Sequence, residues 1–228
     1  MNPAATHLSS LRLTYFRVVP EIIAIGTSTG GPQALQDLLP QLPNDLPVGI
    51  IVVQHMPHGF TGPLAKRLNT ISTIEVREAE PGDIVAPGKV YIAPAGRHIT
   101  VVHHGTKSEM KTKICLSEHP LATLHRPSAD VMMASVAEVF GPNCCGIILT
   151  GMGNDGLKGM TAIRDAGGIT IGQDEASSAV YGMPRACAES GILQGVLPLS
   201  QMTAQILQAL RYTEKVEQEG SAKSLGAR

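Results

Sequence analysis

Three short stretches set a reactive side chain at the end of an apolar run. Gly26-Thr27-Ser28-Thr29-Gly30 follows Ile22 to Ile25, Gln54-His55-Met56-Pro57 follows Val48 to Val53, and Gly151-Met152-Gly153-Asn154-Asp155-Gly156 follows Gly146 to Thr150. A serine, a histidine and an aspartate are the parts of a nucleophilic relay. The hydroxyl is a weak nucleophile until a base takes its proton. An imidazole titrates near neutral pH and can accept that proton and pass it to a leaving group. A carboxylate fixes the imidazole tautomer and stabilises the imidazolium.

Plainer readings exist for each stretch. Ser28 could cap a helix, His55 could be structural, and Asp155 could stabilise a turn through local hydrogen bonds. Gly26 to Gly30 also fits the G-x-S-x-G elbow that presents a nucleophilic serine between strand and helix. The dinucleotide fingerprint fits less well, because Ser28 stands where its second glycine belongs. No P-loop lysine follows, and Pro32 removes an N–H from the loop. The chain order Ser…His…Asp differs from the Ser…Asp…His of α/β-hydrolases, but the constellation recurs in several orders.

The elements that must position these residues follow from periodicity. Charge-free runs at 22–25, 48–53, 146–150 and 168–173 read as strands buried on both faces. Helices are predicted over 32–39, 62–69, 128–140, 157–166 and 184–190. In the helix over 128–140, Val131, Ala134, Val136, Val139 and Phe140 are the expected buried positions. A last strand at 192–197 precedes a final helix with Ser200 as its N-cap. Between about residues 73 and 118, short segments separated by turn signals predict an insertion of short, partly antiparallel strands. The alternation implies an α/β fold: a doubly wound, mostly parallel sheet with helices on both faces and a small inserted antiparallel β element. In such sheets the functional crevice lies beyond the carboxyl ends of the strands, where Ser28, His55 and Asp155 all fall.

Composition sets the outer limits. The chain has 228 residues, 43% hydrophobic and 16% charged, with a formal net charge of −1. That balance is ordinary for a globular protein and gives no electrostatic case for nucleic acid. No apolar segment is long enough for membrane insertion, and the N-terminus lacks a signal-peptide pattern. The expected compartment is the cytoplasm. Cys115, Cys144, Cys145 and Cys187 form no CxxC pair and read as free, mostly buried thiols. The eight histidines show no metal spacing, and the adjacent His103 and His104 read as structural or surface residues.

The motifs together resemble a known family. IGTSTGGP, VVQHMPHGFT, LHRPSAD, ILTGMGNDG and DEASSAVYGMPRA occur in the order found in the catalytic domain of the bacterial chemotaxis receptor methylesterases, CheB. The resemblance covers about residues 20 to 212. It implies a serine hydrolase acting on γ-glutamyl methyl esters in the methylated cytoplasmic helices of chemoreceptors, with Ser28 as nucleophile, His55 as base and Asp155 as its partner. No metal or organic cofactor is implied, and some family members also deamidate receptor glutamines. Backbone N–H groups at Thr29, Gly30 and Met152 are the candidates for an oxyanion hole. His58, Arg97, Arg126 and Tyr181 are candidates for specificity.

The expected organisation is an arm or linker over 1–20, the catalytic domain over 21–212 and a polar tail over 213–228. Family members usually carry an N-terminal receiver domain; here fewer than about thirty residues precede the first core strand, well below domain size. The expectation is therefore a stand-alone esterase, controlled, if at all, by a separate receiver or response-regulator protein. Two rivals remain open: a non-catalytic module that binds receptor helices, and an esterase for another methylated protein.

Overall fold

The computed structural model describes residues 16–106 and 109–212. Seven strands form one sheet: β1 (Ile22–Thr27), β2 (Gly49–Gln54), β3 (Glu75–Glu78), β4 (Lys89–Ile92), β7 (Cys144–Ile148), β8 (Ile169–Gln173) and β9 (Gly195–Leu197). Their order is β3-β4-β2-β1-β7-β8-β9, and every pairing is parallel. Two further strands, β5 (His98–His104) and β6 (Lys111–Ser117), pair antiparallel as a separate ribbon. The helices are α1 (Gly31–Leu38), α2 (Thr61–Ile71), α3 (Ala129–Phe140), α4 (Leu157–Asp165), α5 (Met183–Glu189) and α6 (Leu199–Ala209).

Side chains alternate across the sheet and divide the core in two. Ile23, Ile25, Ile50 and Val52 pack with Leu35, Leu38, Leu64, Leu68, Met202 and Ile206 of α1, α2 and α6. Ile22, Ala24, Ile51 and Val53 pack on the other face with Met132, Met133, Met160, Ile163 and Met183 of α3, α4 and α5, and with Ile99 and Ile114 of the ribbon. Burial on both faces explains why these strands carry no charge. The doubly wound architecture and the small antiparallel element are as expected.

Several details differ from expectation. The antiparallel element is narrower than 73–118, because β3 and β4 extend the main sheet in parallel beside β2. In α3 the buried positions are Ala129, Met132, Met133, Val136 and Ala137, whereas Ala134 is exposed. Val136 is buried as expected and Val139 and Phe140 pack partly against the core, but the helix lies between sheet and ribbon, so its tertiary position also buries Ala129, Met132, Met133 and Ala137. Ser200 sits within the first turn of α6, and Pro198 occupies the N-cap. Phe16 joins the core, so packed structure reaches back into the segment read as an arm. Residues 1–15 of that arm and the tail over 213–228 lie outside the described residues.

Cys144, Cys145 and Cys187 are buried and Cys115 is half-buried, all as free thiols. Burial pushes Cys144 up to about 11 and Cys187 up to about 12, which keeps both protonated and unreactive. His103 and His104 are exposed at the end of β5. No helix among the described residues is long and apolar enough to cross a membrane.

Candidate active site

β1 is the central strand, and the chain turns from one side of it to the other between β2 and β7. That places the crevice of the sheet at the carboxyl end of β1. Register then brings the three predicted residues toward one place. Thr27 is paired with Gln54, so Ser28 and His55 leave adjacent strands side by side, and the His55 N–H donates to the Thr27 carbonyl at 3.1 Å. On the other flank the Ser28 N–H donates to the Thr150 carbonyl at 3.0 Å, just past β7.

The backbone around Ser28 is held by a buried amide. Gln54, 2% exposed, donates from Nε2 to the carbonyls of Ser28 at 2.9 Å and of His55 at 2.8 Å. Both elbows are thereby tied to one side chain. The close approach requires glycine at position 31: a Cβ there would lie 2.0 Å from Gln54 Oε1 and 2.4 Å from Thr27 Oγ1. Gly151 packs against the serine in the same way. A Cβ on it would lie 2.9 Å from Ser28 Cβ and 2.3 Å from Met183 Sδ.

Asp155 reaches His55 across 100 positions of sequence, with Oδ2 2.7 Å from His55 Nε2. The two side chains are only 8% and 10% exposed. Asp155 also caps α3: it accepts from Ser128 Oγ at 2.7 Å, from the Ala129 N–H at 2.7 Å and from the Asp130 N–H at 3.1 Å. Burial alone would raise its pKa. The hydrogen bonds from His55, Ser128, Ala129 and Asp130 outweigh that and hold the carboxyl at about 2. An ionised Asp155 requires a proton on Nε2, so in the neutral imidazole Nδ1 carries the lone pair. Nδ1 is buried and has no hydrogen-bond partner. A ready base nitrogen results.

The candidate oxyanion donors are available. The N–H groups of Thr29, Gly30 and Met152 donate to no other group among the described residues. Thr29 and Met152 are exposed, and Gly30 takes the left-handed conformation, φ 83°, at the N-cap of α1. Of the four specificity candidates, His58, Arg97 and Arg126 line a single cavity. Tyr181 lies elsewhere, its backbone bridged to Gly151. No group of three or more metal-ligating side chains occurs among the described residues.

Three residues of the site were not singled out from sequence. His125 stacks on His55 with ring centroids 4.0 Å apart and planes 19° from parallel. Ser128 was read only as a helix start. His98 is fully buried; its Nδ1 accepts from the Ser128 N–H at 3.2 Å, and its Nε2 donates to the Pro120 carbonyl at 3.1 Å. The signal for His125 is its place inside the LHRPSAD motif; Ser128 has that and its position at the start of the predicted helix.

These imidazoles set a pH limit on the fold. Burial pushes His98 and His125 below the ordinary 6.5, and for His125 the neighbouring His55 adds to the effect. The unfolded chain then binds protons before the folded chain does, so stability falls as pH drops below about 6.5. Thermal melts should show Tm level between about pH 7 and 8 and declining toward pH 5. A Tm that holds or rises on acidification contradicts a buried His98 and a half-buried His125 kept neutral by their surroundings.

The doubly wound α/β sheet carries Ser28 and His55 at adjacent central strand ends, with Asp155 bonded to His55. Residues 23–206 match the family model for CheB methylesterase, and the chain belongs to that family. It is 51% identical over 187 residues to a protein-glutamate methylesterase/protein-glutamine glutaminase of Moorella thermoacetica, covering 82% of this chain and 43% of that protein. A Geobacter sulfurreducens relative named protein-glutamate methylesterase/protein-glutamine glutaminase 1 is 47% identical, with 81% and 50% covered. The crystal structure of the Thermotoga maritima CheB methylesterase catalytic domain superposes with a TM-score of 0.79 at 38% identity, covering 84% of this chain and 99% of that one. The chain spans about half the length of the curated relatives it matches.

Proposed function

We propose that this protein is a serine hydrolase that removes methyl groups from γ-glutamyl methyl esters of chemoreceptors and releases methanol. The observation that carries this reading is the His55–Asp155 pair at 2.7 Å, its free Nδ1 buried at the strand end beside Ser28. Ser28 Oγ attacks the ester carbonyl while His55 Nδ1 takes its proton. The tetrahedral oxyanion is met by the N–H groups of Thr29, Gly30 or Met152; losing one such donor typically costs about 10²–10³ in turnover. His55 returns the proton to the departing methoxide, and methanol leaves an acyl-enzyme. Water, deprotonated by His55, releases the glutamate carboxylate and restores Ser28. Asp155 stays ionised throughout and stabilises the imidazolium.

The names of the relatives support a second substrate, the glutamine amide, for which ammonia replaces methanol as leaving group. A place in the cytoplasm with the receptor helices belongs to the same reading and rests on the family resemblance. The test is methanol release from a helical peptide carrying one glutamate γ-methyl ester. Saturable release is expected. Binding of the peptide without methanol would replace the hydrolase with a receptor-binding module.

A further inference from the structure

A cavity of about 520 Å³ adjoins the site, lined by His58, Arg97 and Arg126 together with Ala95, Gly96 and Glu118. Arg126 also lines a second cavity, of about 330 Å³, that contains His55, Met56 and His125. One side chain is thus shared by the cationic cavity and the one that holds the base.

Arg126 is built in but not satisfied. Its carbonyl accepts from the Gly96 N–H at 3.0 Å, which anchors its backbone beside Arg97. Its Nε is buried and has no hydrogen-bond partner. Neither Arg97 nor Arg126 forms an ion pair among the described residues. The carboxylate of the cavity wall, Glu118, is exposed and also unpaired. Two guanidiniums against one carboxylate leave the cavity positive. A guanidinium nitrogen removed from water without a partner is costly unless a ligand supplies one.

We propose that this cavity is a carboxylate subsite, which takes an acidic side chain from the same helix that presents the ester to Ser28. The proposal rests on the hydrolase reading above. On a helix, residues three or four apart have Cβ atoms about 5–6 Å from each other. A helix with its ester in the His55 cavity therefore carries its neighbouring turn to a cavity that shares a wall with it. A carboxylate there can accept two parallel N–H bonds from a guanidinium, whereas a glutamine offers one neutral oxygen. One consequence is directional: a glutamate freed by one turnover becomes the favoured neighbour for the next.

The test uses two helical peptides, each with one glutamate γ-methyl ester and either Glu or Gln four residues to either side. The readout is the ratio of their kcat/KM values for methanol release at early times, which cancels any general change in activity. The wild type should favour the Glu peptide by about tenfold, the size of one partly solvated charge-assisted hydrogen bond. In Arg126→Gln and in Arg97→Gln the ratio should fall toward one. A wild-type ratio of one, or a tenfold ratio kept in both variants, overturns the subsite. A small neutral methyl ester is run alongside on the wild type. Its hydrolysis with a ratio of one rejects the subsite alone, and its resistance together with both peptides' rejects the hydrolase reading and the subsite with it.

Discussion

Ser28→Ala is expected to lower kcat for ester hydrolysis by at least about 10⁴-fold while leaving the fold intact. The stability half of that statement follows from the hydrogen bonds. Ser28 is held through its main chain: its N–H donates to Thr150, and its carbonyl accepts from Gly31 and Gln54. Alanine keeps all three, so stability should change by no more than about 0.5 kcal/mol. Because Ser28 and His55 act as one unit, adding His55→Ala to Ser28→Ala should cost little more. A loss of less than about tenfold in Ser28→Ala would mean that another group makes the attack.

Asp155→Asn should damage both activity and stability. The carboxylate receives four donors: His55 Nε2 and the Ala129 N–H at Oδ2, Ser128 Oγ and the Asp130 N–H at Oδ1. An amide has one acceptor oxygen, so its NH₂ must face a backbone N–H in either orientation. With the NH₂ at the Oδ2 position it also donates to His55 Nε2, which forces the imidazole proton onto Nδ1 and removes the base. The expected loss is about 10³–10⁴ in kcat, with destabilisation of about 1–3 kcal/mol from the unsatisfied donors. The variant should also lose a pH dependence. In the wild type the Asp155 carboxyl is lowered from 3.8 to about 2. The stability it contributes is present above about pH 4 and lost as pH falls toward 2. Acid unfolding curves of the two proteins should converge over that interval.

What the sequence revealed depends on the range of the interactions involved. β1, β2 and β7 were legible because burial on both faces leaves a charge-free run, a purely local signal. Glycine and proline marked where each strand stops, and the strand-end rule then placed Ser28, His55 and Asp155 together. Strands β3 and β4 were legible as strands but not as members of the main sheet. A four-residue strand such as EVRE carries no mark of which partner it will pair with. The buried face of α3 is only partly legible for a related reason: Val136 is buried as expected, but Ala134 is exposed. Met132 and Met133 are buried between sheet and ribbon, an environment no single helix reveals.

The supporting residues of the site were the least legible. His98 and His125 come from a ribbon and a loop, and their partners lie where the folded chain happens to pass. His98 holds the segment leading into α3, Ser128 and the α3 N-terminus hold Asp155, and Asp155 holds His55. A chain of orientation therefore runs from a buried histidine to the base nitrogen. Gln54 performs the equivalent task for the backbone by joining the carbonyls of Ser28 and His55.

The central claim is that Ser28 is a nucleophile activated by His55. Its most direct measurement is the intact mass of the protein after exposure to a fluorophosphonate, followed by mapping of the modified peptide. One adduct per chain on Ser28, formed in the wild type and nearly lost in His55→Ala, is the result this account predicts. No adduct, an adduct on another residue, or equal labelling without His55 would contradict it.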